Sequence, residues 1–156
     1  MKGKCKINDY LIDFTCIYKI TKISRDNNHN RLIHYRPVKG TDRVFTCRIP
    51  EKNLLKAGIR HILTKSETKN ILNKFKGLSV DSPFNPRQFK EDLYINVVED
   101  LINDLKCFYL QKSPLLKSEE ELKKRILNHF CLEISFITGK ENLSIKKTIE
   151  SNILGK

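Results

Sequence analysis

Glu99, Asp100 and Asp104 form the densest group of carboxylates in this chain of 156 residues. Grouped carboxylates are the parts of general acid–base chemistry and of oxygen-ligand metal sites. Here they fall along a stretch of helical periodicity, where such a group is ordinarily a solvated face. Five cysteines (Cys5, Cys16, Cys47, Cys107, Cys131) are scattered without a C-x-x-C pair, and the four histidines are equally dispersed. Neither set has zinc-ligand spacing. No glycine-rich phosphate loop and no nucleophile–base arrangement stands out. The residues thus predict no catalytic group, no metal and no other cofactor, and reduced, mostly buried thiols.

Contact with polyanions is the chemistry that the composition favours. The chain holds 30 Lys+Arg against 18 Asp+Glu, a net charge of +12. Residues 1–62 carry 14 cations and 5 carboxylates; residues 63–156 carry 16 and 13. Nucleic acid, an acidic protein surface and an anionic membrane face all suit such a balance. Part of the surplus also reflects a composition rich in Lys, Ile and Asn. In the second half the cations gather at Arg87 and Lys90, and at Lys123, Lys124 and Arg125. Arg87 and Lys90 lie one helical turn apart, placed for phosphate contact or simply on a solvated face. Lys123, Lys124 and Arg125 follow Glu119, Glu120 and Glu121, with which they can pair along a helix.

The stretch DSPFNPRQFKEDL, residues 81–93, puts Phe84 and Asn85 between Pro83 and Pro86 at the front of a basic helix. Two readings are open. Pro83 stiffens the backbone before Phe84 and Pro86 drives Asn85 out of the α region, so the pair can protrude and present an aromatic wedge. Alternatively Phe84 folds back as a hydrophobic staple and Asn85 is the N-cap.

The elements that must position these residues fall into two halves. Up to Pro50 the pattern is β: YLI (10–12), CIYKITKI (16–23), RLIHYRP (31–37) and RVFTCRI (43–49), separated by Asn-, Asp- and Gly-bearing turns. Four short strands predict a small, strongly bent antiparallel sheet or open barrel. After Pro50 the period becomes helical. A helix is predicted over 66–77, with Ser66 and Lys69 as a partial capping box. A long one follows from Pro86 with Phe89, Leu93, Val97, Leu101 and Leu105 on one stripe. A third spans 118–140, with Ser118 and Glu121 as its capping box and Leu122, Ile126, Phe130 and Ile134 inward; a fourth spans 142–154. The fold class expected is α+β: a β domain over 1–62 and an all-α helical bundle over 63–156. No run of 18 apolar residues and no signal-peptide h-region is present, so a cytoplasmic protein without a membrane partner is expected.

Several strings, in one order along residues 7–154, resemble the CarD/CdnL family of bacterial transcription regulators, whose first module is shared with transcription-repair coupling factors. INDYLIDFTCIYKITKI resembles the family's opening, with Asn8 in place of a Gly and DFTC in place of a Pro-x-His-Gly turn. HYRPV, FTCRIPEKN and AGIR resemble its next segments. NPRQFKEDL resembles its W-x-x-R segment, with Asn85 in place of the Trp and Gln88 in place of the Arg; the chain contains no Trp. VVEDLINDL and EEELKKRILNHFCLEISF resemble its following helices.

The resemblance implies a Tudor-like domain that binds the RNA polymerase β subunit and a helical domain that contacts promoter DNA at the upstream edge of the bubble. The DNA contact it implies is to phosphates and the minor groove, largely independent of sequence. It implies DNA contact at Phe84, Asn85, Arg87 and Lys90 and, more weakly, at Lys123, Lys124 and Arg125. It places Arg48, and less firmly Arg25, at polymerase-contacting positions. A monomer is expected. A pure protein-interaction adapter, docking on polymerase without a DNA wedge, is the competing expectation, and the missing Trp favours it.

Overall fold

The computed structural model describes residues 4–77 and 96–155. They form an α+β protein in which a curled five-stranded antiparallel half-barrel is followed by four helices. The chain divides into two units. Residues 4–62 with Asn96 belong to the first, and 63–77 with 97–155 to the second.

In the first unit the strands are β1 (Tyr10–Ile12), β2 (Ile17–Arg25), β3 (Arg31–Lys39), β4 (Cys47–Pro50) and β5 (Arg60–His61), in the order β4-β3-β2-β1-β5. Each hairpin is built by a side chain suited to it. Between β1 and β2 the Asp13 carboxylate accepts from the backbone of Thr15 at 2.6 Å and of Cys16 at 2.7 Å, and from the Tyr18 hydroxyl at 2.6 Å. This Asx turn is what DFTC makes. Between β2 and β3, Asp26 accepts from the backbone of Asn28 and Asn30 and from the Asn30 amide. Those bonds, led by the Asn30 amide, hold the Asp26 carboxyl below its usual range. Asn8 takes the left-handed conformation (φ 74°) that Gly and Asn adopt most easily.

One face of the sheet is the core. Leu11, Tyr18, Ile20, Ile33 and Tyr35 are buried with Leu54 and Ile59, and the Tyr18 and Tyr35 rings meet edge to face at 5.1 Å. A register shift between Ile20 and Lys22 interrupts the alternation of β2, so Lys22 pairs with His34 and Ile23 with Ile33. A bulge of this kind adds twist and swings the following side chains to the opposite face. Cys5 and Glu51 tie the start of the chain to this sheet. Glu51 accepts from the Cys5 backbone N–H at 2.6 Å and from Arg31 Nε at 2.7 Å, while Arg31 Nη2 donates to the Cys5 carbonyl at 2.7 Å.

Two strand expectations change. Of the 43–49 stretch only 47–49 joins the sheet, in a strand that runs on to Pro50; residues 43–46 stay outside it and Val44 is 96% exposed. The Thr41 hydroxyl accepts from the Arg43 backbone N–H, a local turn that competes with the ladder. β5 was not expected. It pairs with β1 (Leu11 with His61, Ile12 with Arg60) and is too short to carry a period of two.

In the second unit the helices are α1 (Lys65–Lys74), α2 (Val98–Leu110), α3 (Lys117–Thr138) and α4 (Asn142–Leu154). α3 packs on α1, α2 and α4. Phe75 and Phe130 meet edge to face at 5.2 Å, and Leu101, Leu105, Ile126, Ile134, Ile149 and Ile153 are buried with them. Leu122 is only half-buried.

Three helix starts differ from expectation. α1 is capped by Thr64, whose hydroxyl accepts from the Glu67 N–H at 3.2 Å while Glu67 accepts from the Thr64 N–H at 2.6 Å; Ser66 and Lys69 lie inside the helix. α3 begins at Lys117. Glu119 accepts from the Leu116 N–H at 2.7 Å, and Leu116, which is extended, offers no hydroxyl in return. The long helix predicted from Pro86 does not run through 96–97: Asn96 has φ 54° and Val97 is extended, so α2 starts at Val98, and Val97 is exposed instead of lying on the apolar stripe.

Candidate functional site

Strands β2, β3 and β4 contain no carboxylate. Alternation sends Ile20, Ile33, Tyr35, Cys47 and Ile49 to the core, so the opposite face receives the residues between them. The register then lines up cations. Lys19 pairs with Arg36, and Lys22, His34 and Arg48 form one row across three strands. Directly paired side chains on one face have Cβ atoms ~5 Å apart. Lys22, Arg36 and Arg48 are exposed, and Lys19 and His34 are half-buried. The Ser24 hydroxyl and His34 Nε2 are 2.7 Å apart, which fixes the imidazole between Lys22 and Arg48. Five carboxylates belong to this half of the sequence. Asp13 and Asp26 are engaged in turns, Glu51 in the Cys5–Arg31 knot and Asp9 with the Lys6 backbone, and Asp42 is exposed in the loop from β3 to β4.

Arg48 therefore stands inside a cationic surface. Arg25 does not join it. It ends β2 opposite Arg31, on the alternate side, and its Nη1 donates to the His29 carbonyl at 3.3 Å. Lys19, Lys22, His34 and Arg36 are the members that sequence reasoning missed. Alternation along CIYKITKI carries the signal for one of them: Tyr18 and Ile20 are buried, so Lys19 between them faces the other side. The bulge that turns Lys22 outward left no signal in residue type.

Phe84, Asn85, Arg87 and Lys90 lie outside the described residues. Lys123, Lys124 and Arg125 occupy the second turn of α3. Lys123 Nζ sits 4.0 Å from the centroid of the Tyr109 ring, a cation–π contact, and the Tyr109 hydroxyl donates to Glu150 at 2.8 Å. Lys124 and Arg125 are exposed. The three thus do not form one free patch. Burial first, then Glu150, pushes the Tyr109 phenol far above its usual range.

The carboxylates Glu99, Asp100 and Asp104 do not converge. Glu99 and Asp100 lie exposed in the first turn of α2, where negative charge meets the positive end of the helix dipole, and Asp104 is buried. Glu99 also pairs with Lys74. A thiol–imidazole pair does occur: Cys5 Sγ lies 3.4 Å from His61 Nε2. Burial first, then Glu51, pushes this thiol up to about 12, so it stays protonated and is not an activated nucleophile. Among the described residues no group of three or more His, Cys, Asp and Glu side chains is placed to hold a metal ion. No helix among them is long and apolar enough to cross a membrane.

Compared with protein-family models and with curated proteins, the chain finds no match in either.

Proposed function

We propose that the chain is a non-catalytic transcription regulator. Its first unit, read as a Tudor-like domain, docks on the β subunit of RNA polymerase. Its helical unit contacts promoter DNA at the upstream edge of the bubble and modulates the lifetime of the open complex. The observation that carries the reading is the position of Arg48 within a carboxylate-free cationic sheet face. Such a face is steered to acidic protein surfaces and fixes their register. β4 is also an edge strand, to which a partner strand can add. Colinearity with the CarD/CdnL pattern supplies the identity of the partner. A DNA binder that prefers the open promoter shifts that equilibrium by its differential affinity and by no more.

The adapter reading keeps one observation of its own. Lys123 is held over Tyr109, which leaves fewer described cations on α3 to meet phosphate.

The test is the lifetime of open promoter complexes, measured with polymerase pull-down, for wild type, Arg48→Glu and Phe84→Ala. Wild type should lengthen the lifetime. Arg48→Glu should lose both effects, because it reverses a charge in the docking row. Phe84→Ala should keep polymerase binding and lose the lifetime effect. A wild-type protein that binds polymerase and leaves the lifetime unchanged would replace the regulator by the adapter.

A further inference from the structure

We infer that the outer face of the half-barrel is a binding platform for single-stranded nucleic acid, with phosphates on Lys19, Lys22 and Arg36 and a base stacked on Phe45. The inference goes beyond the polymerase reading and stands without it.

The first observation is the geometry of the cations. Arg36 and His34 are two residues apart on β3, hence ~6.7 Å along the strand, and Lys19 and Lys22 flank them one strand away at ~4.8 Å. The result is a two-dimensional array of positive charge on a rigid sheet, with no carboxylate in the three strands that carry it. The array suits phosphates as well as an acidic protein surface. Here the centre is cationic, Thr21 and Ser24 are the short polar neighbours, and the larger apolar side chains Leu32 and Val38 stand toward the two ends. Phosphate contacts need no apolar centre and hold register without reading sequence.

The second observation selects single strands. The hairpin from β3 to β4 carries Arg43, Val44 and Phe45 outside the sheet. Val44 is 96% exposed, and Phe45, a large aromatic that a core would normally hide, is 38% exposed. This loop leaves the hairpin at the end of the sheet where Lys19 pairs with Arg36. A basic surface next to a loop with an exposed aromatic can hold unstacked bases, since every base has a face to stack. A duplex keeps its bases stacked and offers Phe45 nothing.

The experiment is fluorescence anisotropy of the full chain with a labelled 20-nucleotide oligo-dT, titrated at several salt concentrations. Wild type should bind in a salt-dependent manner. Lys22→Gln/Arg36→Gln should lose affinity about tenfold and flatten the slope of log K against log salt by about 1.4, two contacts at about 0.7 each. Phe45→Ala should lose about tenfold with the slope unchanged. Lys52→Gln/Lys56→Gln removes the same charge away from the strands and should lose less than twofold. Thermal melts of all variants, expected to agree with wild type within about two degrees, separate lost contacts from lost fold. Equal losses in the two double variants would mean that net charge alone is being read, and would overturn the proposal. A duplex bound as tightly as oligo-dT, with Phe45→Ala silent, would overturn the single-strand assignment. Polyglutamate competing as well as oligo-dT at equal charge would assign the face to an acidic protein. Polymerase pull-down on the same variants keeps the two readings apart: Phe45→Ala, which leaves the docking row intact, should lose oligo-dT and retain polymerase.

Discussion

Gly40 closes the end of β3 with φ 101°, and a Cβ placed on it would lie 2.2 Å from the Thr15 carbonyl oxygen. The obstacle is backbone, held in the Asp13 turn, so it cannot swing aside. Gly40→Ala combines left-handed strain with a steric clash and should destabilise the protein by about 3 kcal/mol. Gly139, the C-cap of α3, has φ 73° and open space around it. Gly139→Ala meets only the conformational cost and should lose about 1 kcal/mol. Urea midpoints at constant m-value give both numbers, and equal losses would remove the clash from the account. Gly40 was legible as a turn residue from VKGTD. Its close approach to Thr15 was not, because that depends on how two turns distant in sequence meet.

Among the elements, α1 shows what fixes a boundary. Ser66 is as good a cap by type as Thr64, but the reciprocal partner decides. Glu67 stands three residues after Thr64, and each of the two bonds has its acceptor, the Thr64 hydroxyl in one and the Glu67 carboxylate in the other, whereas Ser66 has Lys69, which cannot accept. Thr64→Ala should therefore cost about 1 kcal/mol and Ser66→Ala a few tenths or less, read as urea midpoints. The same comparison explains α3, where Glu119 binds the Leu116 N–H and displaces the expected Ser118–Glu121 box. Strands were legible where a run was long enough to alternate, as in β2 and β3. They were not where two residues suffice, as in β5, or where a local Thr41 turn holds 43–46 off the ladder. Asn96 is the break in the long stripe. Periodicity counts Val97 with Leu101 and cannot register a single left-handed residue before them.

For the whole molecule, the buried titratable groups give stability a direction in pH. Burial, with Glu51 second, pushes the Cys5 thiol up to about 12. Burial likewise pushes Cys131 up to about 11 and, aided by Cys47, Tyr35 up to about 12. Tyr18, buried and bonded to Asp13, is raised further. In the unfolded chain thiols ionise near ~8.5 and phenols near ~10. Above those values the unfolded state holds fewer protons than the folded one, so stability is complete below about pH 8.5 and falls as pH rises toward the folded values. Urea midpoints under reducing conditions at pH 7.5, 9 and 10.5 should fall progressively. A flat profile to pH 10.5 would mean that these groups ionise as easily folded as unfolded. The division of charge between the halves was legible from composition. The sheet face that gathers it was not, because the bulge after Ile20 decides which side Lys22 takes.

The Asn96 side chain is buried in the first unit, where its amide donates to the Gly58 carbonyl at 3.1 Å and the Ile12 carbonyl at 3.4 Å, and its oxygen accepts from Arg60 Nε at 3.3 Å. All three partners precede it by 36 residues or more. During synthesis the five strands, all within residues 10–61, emerge and can pair while Asn96 is still unmade. The nascent sheet must meanwhile leave the two carbonyls to water and Arg60 to other acceptors. The half-barrel is thus a structure completed in arrears: its last hydrogen-bonding groups arrive with the chain that goes on to build α2.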